Sequence, residues 1–171
     1  MTSDPEPELE PDADPESVAR KILLDQLTGR ARSRSELADK LRSRNVPHEL
    51  AERLLDRFEE VGLVDDAAFA HAWVTERQQT KGLAPRALAQ ELRRKGIDDE
   101  TARTALAEVT GDDQEAAARA LVRRRLRAVA GLDRTTAVRR LTGMLARKGY
   151  APGLAYRLVA DELGAERVEE F

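Results

Sequence analysis

The side chains best suited to bind another molecule in this sequence are basic, and they are clustered. Between Arg119 and Lys148 there are ten basic residues and one acid, Asp133, which leaves nine net positive charges in thirty positions. A cationic block of this density attracts an anionic polymer or an acidic protein groove. The whole chain nevertheless has a formal charge of −3, because residues 1–17 carry seven acids and no base.

The residue types that most enzymes use for chemistry are scarce. Cysteine is absent, which excludes disulfides, thiolate metal sites and a cysteine nucleophile. The two histidines, His48 and His71, lie far apart on different predicted helices, so a histidine metal site or catalytic triad is not expected. No glycine-rich phosphate loop, metal-ligand spacing or nucleophile elbow occurs. The sequence therefore predicts a protein that is not an enzyme and holds neither cofactor nor metal.

A helical repeat positions the basic residues. The pattern of two leucines four apart, then a basic residue, then Gly or Asn, then an apolar residue begins at Leu37, Leu88 and Leu141, with spacings of 51 and 53 residues. Each copy is typical of a helix that ends at a left-handed Gly or Asn. Further leucine-rich stretches follow at matching offsets, and another helical segment precedes each copy. The sequence thus predicts three tandem repeats of three helices each.

These signals divide the all-α chain into a disordered acidic tail at residues 1–16 and three-helix repeats at residues 17–64, 65–111 and 112–171. Repeats of about fifty residues bury a poor core alone and gain by stacking on their neighbours. The proline-rich acidic tail is interpreted as solvated; the alternative is a mimic of DNA that occupies the basic surface. In the second repeat, Phe69 and Trp73 lie on one predicted helix face, which favours a core position for Trp73 over a base-stacking role.

No apolar run approaches the roughly 18 residues that a membrane span requires, and the N-terminus lacks the layout of a signal peptide. We therefore expect a cytoplasmic protein without a membrane partner.

Two explanations of the basic clusters require no partner. A cation near a helix C-terminus stabilises the helix by about 0.3–1 kcal/mol through its interaction with the helix dipole. This effect explains one cation per helix more easily than three in a row. An arginine-favouring codon usage would explain why 24 of the 29 basic residues are arginine, but it does not cluster them. The clustering therefore favours an anionic partner.

Several stretches together carry a family resemblance. They are Ser33-x-Ser35-Glu36-Leu37-x3-Leu41-x2-Arg44, Glu59-x-Val61-Gly62-Leu63-Val64-Asp65-Asp66-x2-Phe69-Ala70, Gly82-x2-Pro85 and Glu91-Leu92-x2-Lys95-Gly96-Ile97. This string resembles the RecX family, small regulators of the RecA recombinase. The likeness covers about residues 18–164 and is most specific over residues 59–97, whereas the last repeat matches more loosely. Asn45 replaces the usual glycine, a mild change because Asn tolerates the left-handed conformation, and the acidic tail lies outside the pattern.

The resemblance implies an elongated, curved, monomeric array of the three repeats that regulates RecA without catalysis. Such a protein would bind along the groove of the RecA nucleoprotein filament or at its growing end. It would restrain filament growth, ATP hydrolysis, strand exchange and co-protease activity in recombinational repair and the SOS response. Weaker binding to single- and double-stranded DNA is also implied. The alternatives are an autonomous helical-repeat DNA-binding protein without a recombinase partner, and a helical scaffold with no nucleic-acid role.

The candidate contact residues for the filament or DNA are all basic and belong to the clusters. They are Arg93, Arg94, Lys95, Arg123, Arg124, Arg125, Arg127, Arg139, Arg140, Arg147 and Lys148.

Overall fold

The computed structural model describes residues 13–169, with side chains as far as residue 165. In this range the chain forms nine α-helices and no strand. The first group of helices is α1 (Pro15–Leu27), α2 (Arg34–Ser43) and α3 (His48–Glu60). The second is α4 (Asp66–Lys81), α5 (Pro85–Arg94) and α6 (Asp99–Leu106). The third is α7 (Gly111–Val129), α8 (Arg134–Arg147) and α9 (Pro152–Glu169). The predicted all-α fold of three three-helix repeats is confirmed.

The helix ends follow local sequence signals. Ser33 and Glu36 form a capping box at the start of α2, and Asn45 adopts the left-handed conformation with φ 59°. Pro47 is the residue before α3. The predicted acidic tail lies mostly outside the described residues, but α1 begins at Pro15, two residues earlier than the predicted boundary. Asp14 accounts for this start, because its carboxylate accepts a hydrogen bond from the Ser17 backbone N–H.

The chain divides into two compact units, Met1–Phe69 and Ala70–Phe171. The core of the first unit joins α1, α2 and α3 through fully buried leucines, namely Leu23, Leu37, Leu41 and Leu55. Above this core, the Arg34 guanidinium lies 2.8 to 2.9 Å from carboxylate oxygens of Glu52, Asp56 and Glu59 on α3. The N–H of Arg34 also donates to the Asp66 carboxylate at 2.8 Å, which ties the start of α2 to the start of α4.

Repeats two and three form the second unit and are joined by hydrogen bonds at one seam. The Tyr150 hydroxyl donates to the carbonyl of Gly82 at 2.7 Å. The Ala84 N–H donates to the carbonyl of Lys148 at 2.9 Å, and the Lys148 ammonium donates to the carbonyl of Lys81 at 3.0 Å. Ala84 also belongs to the apolar core built by α7, α8 and α9. The turn after α8 therefore fastens the third repeat to the turn between α4 and α5.

Trp73 does not occupy the expected core position. The buried stripe of α4 runs through Phe69, Ala70 and Val74, so Trp73 lies at its edge and is half-buried. Its indole N–H donates to the Glu91 carboxylate at 2.9 Å. Two cations, the Arg77 guanidinium and the Lys95 ammonium, lie 4.3 and 4.9 Å from the ring centroid. The hydrogen bond to Glu91 and the cation–π contact with Lys95 thus join α4 to the end of α5, whereas Arg77 lies on α4 itself.

Candidate functional site

Helix α7 carries arginines on two edges, and the arginines of the first edge form ion pairs within the third repeat. Arg119 and Arg123 are one turn apart and both bind Glu162 of α9, at 2.9 Å and 2.8 Å. Glu162 is buried, with only 6% of its surface exposed. The hydrogen bonds donated by Arg123 and Arg119 hold the pKa of Glu162 below its ordinary value, although burial raises it. Arg123, a predicted contact residue, is therefore engaged in an internal ion pair.

The other edge of α7 faces α8 across a groove of about 440 Å³. Its rim carries four of the predicted contact residues, Arg125, Arg139, Arg140 and Arg147. Its floor is apolar and consists of Ala128, Val129, Leu141 and Met144. We call this site, defined by these eight residues, the arginine groove. No acidic residue lines it, and within the described part of the chain none of its four arginines forms an ion pair.

Helical periodicity explains why these residues share the groove. On α8 the buried stripe consists of Ala137, Leu141 and Leu145. Arg140, Met144 and Arg147 follow one another at spacings of four and three residues, which places them along one edge of that stripe. The loop at residues 130–133 then returns the chain beside α7. The two helices together therefore form an apolar floor with arginines beside it.

The only acid of the basic block does not neutralise the groove. Asp133 is the N-cap of α8, and its carboxylate accepts hydrogen bonds from the Thr136 N–H at 2.9 Å and the Thr136 hydroxyl at 2.7 Å. These bonds hold the pKa of Asp133 below its ordinary value, and Arg139 lowers it further. The carboxylate of Asp133 thus caps α8 and, of the four rim arginines, offsets part of the charge of Arg139.

The remaining candidate contacts fall into two groups. Arg94, Arg124 and Arg127 are exposed and form no ion pair with any described residue. The other three have internal partners: Arg93 lies 3.7 Å from Asp99, the Lys95 ammonium is over the Trp73 ring, and the Lys148 ammonium caps the end of α4. Sequence spacing did not distinguish these groups.

The arrangement is suited to binding an anion. Guanidinium groups form bidentate, charge-assisted hydrogen bonds with carboxylates and phosphates, and four of them converge here. Among the side chains described between residues 13 and 165, no group of three His, Asp or Glu is placed to hold a metal ion. In the same range, no helix is long and apolar enough to cross a membrane.

Two features of the site were missed by sequence reasoning. The first is the apolar floor of the arginine groove, which was not predicted from the sequence. The second is the buried carboxylate of Glu162. A signal for it was present, because Ala155, Leu158 and Glu162 recur at spacings of three and four residues, which puts Glu162 on the buried face of α9.

Three family models match the chain in tandem. The model of the first three-helix domain of RecX matches residues 19–58, the second matches residues 65–106, and the third matches residues 112–159. Each matched range corresponds to one of the three groups of helices, and the second match spans its whole group.

Known proteins agree with this assignment. The chain is 56% identical to the regulatory protein RecX of Thermobifida fusca (strain YX), over 88% of the chain and 82% of that relative. It is 52% identical to the regulatory protein RecX of Streptomyces coelicolor (strain ATCC BAA-471 / A3(2) / M145), over 92% and 84%. A crystal structure of regulatory protein RecX superposes with a TM-score of 0.77 at 26% identity, over 86% of this chain and 72% of that one.

The fold of RecX from Lactobacillus salivarius is also similar, with a TM-score of 0.79 at 22% identity over 86% of this chain and 96% of that one. Three RecX domains follow one another in order along the chain, and curated RecX proteins are more than half identical to it over most of their length. This chain belongs to the RecX family of regulatory proteins.

Proposed function

We propose that this chain binds the RecA nucleoprotein filament and restrains its growth, ATP hydrolysis, strand exchange and co-protease activity. It would act without catalysis, as a cytoplasmic monomer, in recombinational repair and the SOS response. The observation that carries the proposal is the arginine groove in a chain of the RecX family, because it offers four unpaired guanidinium groups to an anionic surface. A filament of protein and nucleic acid presents both carboxylates and phosphates to such a site.

Linkage of the repeats in one chain supports binding to a repetitive partner. Once one unit of the chain is bound, the other is held near the filament at a high effective concentration. Each contact can then be weak while the whole chain binds tightly. We therefore expect that truncation of the chain to one repeat costs much more than a third of the binding free energy.

A second candidate function is autonomous DNA binding without a recombinase. The exposed cations Arg94, Arg124 and Arg127 favour it, since they are available to phosphates independently of the groove. An autonomous binder would bind bare DNA as tightly as the filament, with a steep dependence on salt. In our proposal the same cations supply a weaker affinity for single- and double-stranded DNA.

The proposed function is tested by titration of the protein into RecA that hydrolyses ATP on single-stranded DNA. Binding of the protein to the same DNA without RecA is measured in parallel at the same salt concentration. We expect inhibition of ATP hydrolysis at concentrations well below those that saturate the bare DNA. Inhibition only where the DNA itself is coated would favour the autonomous DNA-binding alternative, and absence of inhibition would exclude the proposed function.

A further inference from the structure

We infer that the arginine groove binds an acidic protein segment that also carries apolar side chains, and not the phosphodiester backbone of a nucleic acid. The inference rests on the proposed function and names the class of ligand that its main site takes. Nucleic-acid contacts then fall to the exposed arginines outside the groove, Arg124 and Arg127 of α7.

The floor of the groove is the first argument. Val129 and Leu141 are 5% and 2% exposed, whereas Met144 is only partly buried and lines the groove. A phosphate placed above this floor has no apolar group to bury against it, and a deoxyribose offers less apolar surface than a leucine side chain. A leucine or similar side chain would remove Met144 from water, and the flexible thioether adapts its shape to such a partner.

The rim of the groove is the second argument. Arg125 lies on α7, whereas Arg139, Arg140 and Arg147 lie on α8, so the cations surround the floor. A bound apolar side chain would therefore have guanidinium groups beside it, within reach of acids at neighbouring positions of the same segment. This alternation of charge and apolar surface complements an acidic, amphipathic segment.

The groove also lacks an aromatic surface on which nucleic-acid bases could stack. Single-stranded nucleic acids are held largely by stacking of bases on aromatic side chains. The residues that line the groove include no aromatic side chain. Trp73 has cations over its ring and Tyr150 is buried at the seam, so neither offers a stacking face to the groove. Stacking of bases on aromatic side chains therefore does not supply binding energy here.

The direct test uses three labelled probes and the full chain in fluorescence anisotropy. The first probe is a peptide of about twelve residues, made of glutamates with leucine at every fourth position. The second has serine in place of each leucine, and the third is an oligothymidylate of similar length. The floor is altered by Met144→Gln, with Met144→Leu as the conservative control. The rim is altered by Arg147→Gln, with Arg134→Gln as a control for the same charge elsewhere on α8, because Arg134 does not line the groove.

We expect the leucine peptide to bind wild type at least about tenfold more tightly than the serine peptide, the factor given by burial of one large apolar side chain. Met144→Gln should abolish that preference and Met144→Leu should retain it. Arg147→Gln should weaken both peptides, and Arg134→Gln should weaken neither. Oligothymidylate should bind wild type and Met144→Gln equally.

Equal affinity for the two peptides, or tighter binding of oligothymidylate that Arg147→Gln removes, would overturn the inference. Circular dichroism confirms that each variant is folded. The result of the peptide-binding test is independent of the result of the RecA inhibition test. Peptide binding without inhibition of RecA would retain the inference and refute the proposed function, whereas inhibition of RecA without a preference for the leucine peptide would do the reverse.

Discussion

Replacement of Gly149 by alanine tests whether the seam between repeats two and three holds the second unit together. Gly149 has a φ of +92°, in the left-handed region. A Cβ added there would lie 2.8 Å from both the backbone nitrogen and the Cβ of Ala87. Real Cβ atoms essentially never approach other atoms so closely, and the atoms that must move belong to the first turn of α5. The substitution therefore forces the seam apart.

The cost follows from two contributions. An L-residue in the left-handed region costs about 1–2 kcal/mol, and insertion of a methyl group into a packed contact costs about 1–3 kcal/mol. Together these give about 3 kcal/mol for Gly149→Ala. For a unit of roughly 100 residues, each kcal/mol lowers Tm by about 4–8 °C. We therefore expect the Tm of the second unit to fall by more than about 10 °C.

Gly62→Ala provides the matched control. Gly62 also has a positive φ, +78°, but nothing lies within 4 Å of an added Cβ. Its replacement should cost only the backbone strain, about 1–2 kcal/mol. Urea unfolding followed by circular dichroism measures both variants, and the fluorescence of Trp73, the only tryptophan, reports on the unit that contains Gly149. Equal losses for the two variants would refute the close contact at the seam.

Three further predictions concern buried and clustered polar groups. Glu162→Gln should cost about 1–2 kcal/mol at pH 7, because its bond to Arg119 is shielded while Arg123 is largely exposed. Folding lowers the pKa of Glu162 from its ordinary value of 4.5. The ionised carboxylate therefore stabilises the fold above pH 4.5, and this stabilisation is lost as the pH falls through the lowered pKa. The urea unfolding curves of wild type and Glu162→Gln should then converge in acid. Burial raises the pKa of Tyr150 to about 12 from 10.0, so the loss of about 1 kcal/mol expected for Tyr150→Phe should persist below pH 10, shrink as the pH rises above 10 and change sign before pH 12, because ionisation of the unfolded phenol then costs wild type more than the hydrogen bond contributes; a pH-independent difference would contradict this. Arg34→Gln leaves three carboxylates of α3 without their shared cation and should destabilise the first unit by about 1–2 kcal/mol, more at low salt; circular dichroism that shows no salt-dependent loss would refute it.

The sequence predicted the elements of the fold well because their signals are local. The capping box of Ser33 and Glu36, the helix starts at Pro85 and Pro152, and the left-handed Asn45 each depend on residues at most a few positions apart. The same holds for the repeat, whose period is visible in the spacing of its leucines. Helix type and helix ends therefore needed no knowledge of which helices pack together.

The site was predicted only in outline, because its geometry depends on packing between helices. Arg123 and Arg125 are two positions apart in sequence and look equivalent there. On a helix they point about 200° apart, so that one binds Glu162 of α9 and the other lines the arginine groove beside α8. The same limitation explains Trp73, whose ring was expected in the core and lies instead at its edge, in contact with Lys95. Pairing of residues this distant in sequence is set by tertiary contacts alone.

The restraint of the RecA filament that we propose depends on the arginine groove. The most direct test is inhibition of RecA-catalysed ATP hydrolysis on single-stranded DNA by wild type, by Arg140→Glu/Arg147→Glu and by the control Arg134→Glu. Charge reversal at two of the four rim positions replaces two attractions with two repulsions, so the inhibitory concentration should rise at least about tenfold, while the control should match wild type. Equal inhibition by wild type and the folded double variant would contradict the claim.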